Sequence, residues 1–288
     1  LSQQLNIQAE LQSVAKILEQ KIVLSSLEYG QATFSNHSDR VLSKPRIKSI
    51  VYSCPIVSLA SYLRHSPAIV TKNLADLLSL NQDNTNHESG LNLQTKITSP
   101  GWIEFYLDFK AIASWLERSQ LLIETAADST VLSTFVVPDR LSKTSENLFP
   151  AQYVHARCCS LLRLGAREKL ITLKDANLRT WQIQEPQSIS WLDQEQNLWL
   201  TKFAEYNLLR QLFAVTDSFA GDFNNWLKLA LNLSSTTVTF LADCRFLGEV
   251  KQEFPQRAIA RLGLIALTQY WLQRILIEKL GVAAPTEL

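Results

Sequence analysis

Between Ala151 and Arg167 the chain reads "AQYVHARCCSLLRLGAR", a run that sets a tyrosine, a histidine, paired cysteines and repeated arginines on one otherwise apolar segment. Three kinds of chemistry could come from it. Arginine forks match phosphate oxygens, and an aromatic ring can stack on an unpaired base. His155 stands three and four residues before Cys158 and Cys159, the form of a nucleophile and its base. Cysteine and histidine also bind metal. The cysteines (Cys54, Cys158, Cys159, Cys244) and histidines (His37, His65, His87, His155) show no C-x-x-C and no ligand spacing, so neither a zinc site nor a disulfide framework is expected.

The element that must carry these residues is a helix. Stepping 100° per residue puts Tyr153, Arg157, Ser160, Arg163, Leu164 and Arg167 within about 120° of one another. Val154, Cys158, Leu161, Leu162 and Gly165 fall on another flank, which reads as the core side. One face thus presents a ring followed by guanidiniums at successive turns.

Around this helix the chain divides into an α+β part and a helical part. The stretch 2–23 has apolar residues at helical spacing, and "SIVYSC" (49–54) is a short β-branched strand. "SLASYLRH" and "SPAIVTKNLADLLSL" read as helices, the second with Ser66 as N-cap and Pro67 at its first position. "NQDNTNHESG" (81–90) is a polar loop, and "LNLQTKIT" and "WIEFYL" pair as strands about the turn Ser99-Pro100-Gly101. "DFKAIASWLERS" closes the unit as a helix capped by Asp108. Residues 120–147 read as a connector with one short strand, "STFVV". Beyond it helices are expected at 151–165, 194–215, 219–232, 235–246 and 255–281. A Trp-rich excursion at 175–200 interrupts them, and "LITL" (170–173) and "TWQI" (180–183) are the strand-like pieces of this half. The architecture is therefore an α+β module with a small antiparallel sheet (1–119), a connector (120–147) and an all-α bundle (148–288).

Composition narrows the class. The 288 residues are 46% hydrophobic and 19% charged, which suits packed domains and not disorder. No apolar run reaches the roughly 20 residues that span a bilayer, no secretory signal opens the chain, and a cytoplasmic location is expected. With no methionine, the start reads as trimmed or renumbered. Net charge is +1, low for a nucleic-acid binder, but the charge is segregated. Residues 157–179 hold six basic against two acidic side chains (+4), and 245–279 six against three (+3). Between them, 185–222 holds six acids against two bases (−4).

The segment "NLFPAQYVHARCCSLLR" (147–163) resembles the opening of the anticodon-binding domain of arginyl-tRNA synthetases, N-P-x-x-Y-x-Q-Y-A-H-A-R-I-C-S-I-L-R. Gln152, Tyr153, His155, Ala156, Arg157, Cys159, Ser160, Leu162 and Arg163 match. "EYNLLRQL" (205–212), "TFLADCRFLG" (239–248) and the ending from Arg261, "RLGLIALTQYWLQRILIEKLGVAAPTEL", are similar to later blocks of that domain, in the same order. "HSPAIVTKNLADLL" (65–78) and "SPGWIEFYL" (99–107) resemble the helix and strand of the synthetase's N-terminal additional domain.

The resemblance implies a tRNA-binding protein like those named for the DALR anticodon-binding domain. Its RNA contacts would be Tyr153, Arg157, Arg163 and Arg167 on the first bundle helix and Arg245, Arg257 and Arg261 further on. Trp102 and Phe105 would sit at the tRNA elbow. Glu104 stands where the family has asparagine, and "PTEL" where it has P-E-R-M, so contacts at those two places are in question. The resemblance also assigns His155 and the cysteines to packing.

The synthetase's catalytic domain would fall between Arg118 and Asn147, where fewer than thirty residues stand and no H-I-G-H occurs. That length suffices for about one βαβ unit, not a doubly wound nucleotide sheet. "RLSKTSEN" (140–147) resembles the K-M-S-K-S loop only superficially. The expectation is a protein without aminoacylation activity, cofactor or metal. Its partners would be an arginine-type tRNA and a tRNA-modifying or other enzyme. The competing expectation is a protein-interaction scaffold that lost RNA, with Trp181, Trp191 and Trp199 as an exposed partner surface.

Overall fold

The computed structural model describes residues 13–30, 42–46, 49–80, 93–127, 145–174, 182–221 and 223–288. The expected strand "STFVV" and Trp181 lie outside them, as does the polar loop 81–90.

The first part begins with α1 (Val14–Gly30), β1 (Leu42–Arg46), β2 (Ser49–Pro55), α2 (Val57–Tyr62) and α3 (Pro67–Leu80). It closes with β3 (Leu93–Ser99), β4 (Trp102–Leu107) and α4 (Phe109–Ala127). The sheet is antiparallel throughout, in the order β1-β2-β4-β3. Register pairs Ile50 with Leu107, Tyr52 with Phe105 and Cys54 with Ile103, and all six are buried on one face, as period-two alternation requires. Ser66 Oγ accepts from the Ile69 N–H (3.4 Å), and Asp108 Oδ1 from the Ala111 N–H (2.7 Å), so both expected caps are present. Gly101 has φ +86° in the β3–β4 turn, and a Cβ there would press on Val57 and Pro67.

Helix α4 does not stop at 119. Its buried positions Ala111, Ile112, Trp115, Leu116 and Ser119 continue to Ile123, so the apolar stripe carries the helix through the first residues assigned to the connector.

The second part holds α5 (Ser145–Arg167), the two-stranded β5 (Thr172–Leu173) and β6 (Ile183–Glu185), α6 (Phe203–Ala220) and α7 (Trp226–Asp243). The short α8 (Glu249–Glu253) and α9 (Pro255–Arg274), which ends in a π-helical turn at Ile275–Lys279, complete it. Two sequence expectations change here. Residues 194–202 form a turn closed by an antiparallel bridge between Leu192 and Leu198 and then an irregular stretch, and α6 starts only at Phe203. The two helices expected at 219–232 and 235–246 are one. The junction left between them at 233–234 sits inside α7, where the Ser234 and Thr237 hydroxyls donate back to the Ala230 and Leu233 carbonyls, both at 2.7 Å.

The two parts share a continuous apolar core. Trp115 of α4 stacks on Phe213 of α6 with ring centroids 3.9 Å apart. Beside it Asp217 of α6 accepts from Ser13 Oγ (2.8 Å), the Ala15 N–H (3.1 Å) and Tyr52 Oη (2.8 Å). Burial pushes that carboxyl up to about 6 despite these donors. Among the described residues no helix is long and apolar enough to cross a membrane.

Candidate nucleic-acid interface

Helix α5 is buried on one side and bare on the other. Ala151, Val154, Cys158, Leu161 and Leu162 pack into the core, and Gly165 lets α9 approach so closely that a Cβ would meet Leu262 at 2.8 Å. The bare side carries Phe149 and Tyr153, 56% and 47% exposed, with rings stacked at 6.2 Å between centroids. One turn on, Arg157 is exposed, and Arg167 is exposed at the helix end. Neither makes an ion pair among the described residues. Phe149 is the member that sequence reasoning missed. Its spacing of four before Tyr153 was the available signal, and Pro150 concealed it by suggesting that the helix begins at 151.

Arg163 stands on the adjoining flank, half-buried, and is already engaged. Its Nη1 donates to the Thr286 carbonyl (3.4 Å), and its Nη2 pairs with Glu287 at 3.1 Å. Arg245 is exposed. Arg257 is half-buried over the ring of Phe254 (4.7 Å), with Nε donating to the Trp199 carbonyl (3.1 Å).

Two expected contacts are corrected outright. Arg261 is 2% exposed: its Nε donates to Glu205 Oε1 at 2.7 Å and its Nη1 to the Arg245 carbonyl. Glu205 is itself buried, and its other oxygen accepts the Lys202 N–H (2.6 Å) at the start of α6. This guanidinium ties helices together and reaches no phosphate. Phe105 is likewise buried on the core face of β4, whereas Trp102 is half-buried at the turn. The strand's alternation separates them, so they form no joint elbow contact. Glu104 does not present a repelling surface charge either. It is buried and accepts from Tyr106 Oη at 2.7 Å.

The nucleophile pair has no chemistry to offer. His155 Nδ1 bonds the Pro285 carbonyl (2.7 Å) and Nε2 faces Gln269 Nε2 (2.9 Å), which fixes the proton on Nδ1. Burial lowers its pKa to about 4. Burial also pushes the Cys159 thiol up to about 12 and raises Cys158 as well, so neither is a thiolate near neutrality. Among the described residues no group of three His, Cys, Asp or Glu could hold a metal ion. Trp191, proposed for a partner surface, is 1% exposed and packs on Gly263, where a Cβ would meet its ring at 2.6 Å. Trp199 is half-buried against the core.

Fold and site together define a small α+β module fused to a helical bundle whose first helix bears an aromatic–guanidinium face. The chain is 29% identical over 153 residues to the arginine–tRNA ligase of Moorella thermoacetica, a match that covers 51% of this chain and 23% of that protein. This places it as a distant relative of that synthetase family. No family model matches the chain, and no solved structure does.

Proposed function

We propose that this chain is a non-catalytic tRNA-binding protein that holds an arginine-type tRNA on the bare face of α5 and serves as an adaptor or regulator, presenting the RNA to a tRNA-modifying or other enzyme. The observation that carries the reading is the Phe149–Tyr153 stack one turn before an exposed Arg157 that makes no ion pair among the described residues. Unpaired loop bases would stack on Tyr153, while Arg157, Arg167 and Arg245 neutralise backbone phosphates. Distant relation to an arginine–tRNA ligase supports the RNA class. Fewer than thirty residues between Arg118 and Asn147 support the absence of an aminoacylation domain. Burial of Trp191 takes the main hot-spot candidate away from the scaffold alternative.

Sequencing the nucleic acid that copurifies with the protein tests this directly. Enrichment of arginine isoacceptors is expected. Recovery of no RNA, or of RNA in its bulk cellular proportions, would count against it.

A further inference from the structure

The last residues of the chain lie along α5, on the flank beside the bare face. Gln152 Nε2 donates to the Ala283 carbonyl (2.9 Å), His155 bonds the Pro285 carbonyl (2.7 Å), and Arg163 reaches Thr286 and Glu287. Positions 152, 155 and 163 share one side of a helix, so a single flank holds the whole segment. The hold is uneven. His155 is fully buried and braced from behind by Gln269 of α9, which makes the bond to Pro285 short and rigid. Two residues later the Thr286 contact is 3.4 Å, and the Glu287 side chain is 77% exposed. The segment is pinned at Pro285 and loosely held beyond it.

Arg163 is the group this arrangement controls. Its Nη2 is shut off from solvent and faces the Glu287 carboxylate at 3.1 Å. A phosphate arriving at this end of α5 finds an anion already on that guanidinium. We infer that Glu287 is a built-in competitor for the phosphate that Arg163 would take, on a strap hinged at Pro285. The inference rests on the proposed RNA reading and deepens it: Arg157 and Arg167 accept any nearby phosphate, whereas Arg163 accepts one only by displacing Glu287. The carboxylate side of the pair is open to water, with Glu287 77% exposed, and a pair with one partner so solvated is weak enough for that exchange. The strap therefore filters ligands, favouring a backbone long enough to engage the outer arginines first.

The test uses the full chain as wild type, Glu287→Gln, Arg163→Gln and the double variant, titrated with fluorescently labelled tRNA at about 50 mM salt. Glu287→Gln should bind about two- to fivefold more tightly, the range expected for removing an exposed ion-pair competitor. In the Arg163→Gln background that gain should vanish. No gain, or a gain that persists without Arg163, overturns the inference, because Glu287 would then be idle or merely a repelling charge. If none of the four proteins binds tRNA, the RNA reading fails and the strap is judged separately with inorganic tripolyphosphate, followed at the Arg163 Nε–H resonance. Tighter binding by Glu287→Gln than by wild type sustains the strap, and equal affinities overturn it.

Discussion

Arg157 and Arg261 read alike in the sequence: each is a basic residue in a positive segment of an apolar helix, where a phosphate contact would be useful. The structure sends them to opposite fates. Arg157 projects from the bare side of α5 beside stacked rings, while Arg261 is swallowed between α9 and α6 with Glu205 against it. The difference lies in the facing helix rather than in either arginine. Where a neighbour supplies a buried carboxylate already fixed as a helix cap, the guanidinium becomes internal bracing. Where the flank is left uncovered, it stays available to an anion.

The sharpest way to break this contrast is to remove the carboxylate. Glu205→Ala leaves Arg261 charged and unpaired in the core, which costs about 3–5 kcal/mol. Chemical denaturation should show that loss, and Arg157→Ala measured the same way should stay within about 0.5 kcal/mol of wild type. A large effect at Arg157 or a small one at Glu205 would erase the distinction.

A second buried carboxylate sharpens the comparison, because it has hydroxyl and amide donors instead of a cation. Asp217 is raised to about 6 in the folded protein, above its ordinary value of 3.8. Between those values the native state keeps a proton that the unfolded chain releases, so its contribution falls as pH climbs from about 4 to about 6. His155 has the opposite sign: lowered from 6.5 to about 4, it contributes stability that is lost as pH falls through that window. Asp217→Asn should therefore gain on wild type by on the order of 2 kcal/mol between pH 4.5 and pH 7, read from denaturation midpoints. A variant that tracks wild type at both pH values would show that the seam between sheet and bundle does not depend on this proton.

The rings of α5 give the comparison its binding arm. Tyr153→Ala should weaken tRNA binding by about 1–3 kcal/mol, the usual worth of one stacked base, with the denaturation midpoint nearly unchanged because the ring is half in water. Phe149→Ala should weaken binding in the same direction by less. Loss of stability without loss of binding would make the pair a structural stack.

Much of the scaffold was legible because local signals agreed. Ser66-Pro67, Asp108 and the turn at Gly101 each have a chemical reason to sit where they do. The alternation that sets Phe105 beside Ile103 and Leu107 on the core face was passed over when Phe105 was expected at the tRNA elbow. The sheet's partners and the shared core were not legible, since Asp217, Ser13 and Tyr52 meet across more than 160 residues of sequence. The site was half legible. Helical periodicity separated the bare face of α5 from its core flank. It could not show that Glu205 would claim Arg261 or that Glu287 would sit on Arg163, because both are decided by tertiary neighbours. The division expected at 233–234 failed for a related reason: the Ser234 and Thr237 hydroxyls find acceptors one turn back, so α7 runs through.

The central claim is that the uncovered face of α5 binds an RNA backbone, and the salt dependence of tRNA affinity tests it most directly. For wild type, log affinity should fall steeply with log salt, and Arg157→Gln with Arg167→Gln should flatten the slope by about 1.4 to 1.8, two contacts at about 0.7 to 0.9 each. An unchanged slope in the double variant, or no binding by wild type at about 50 mM salt, would contradict the account.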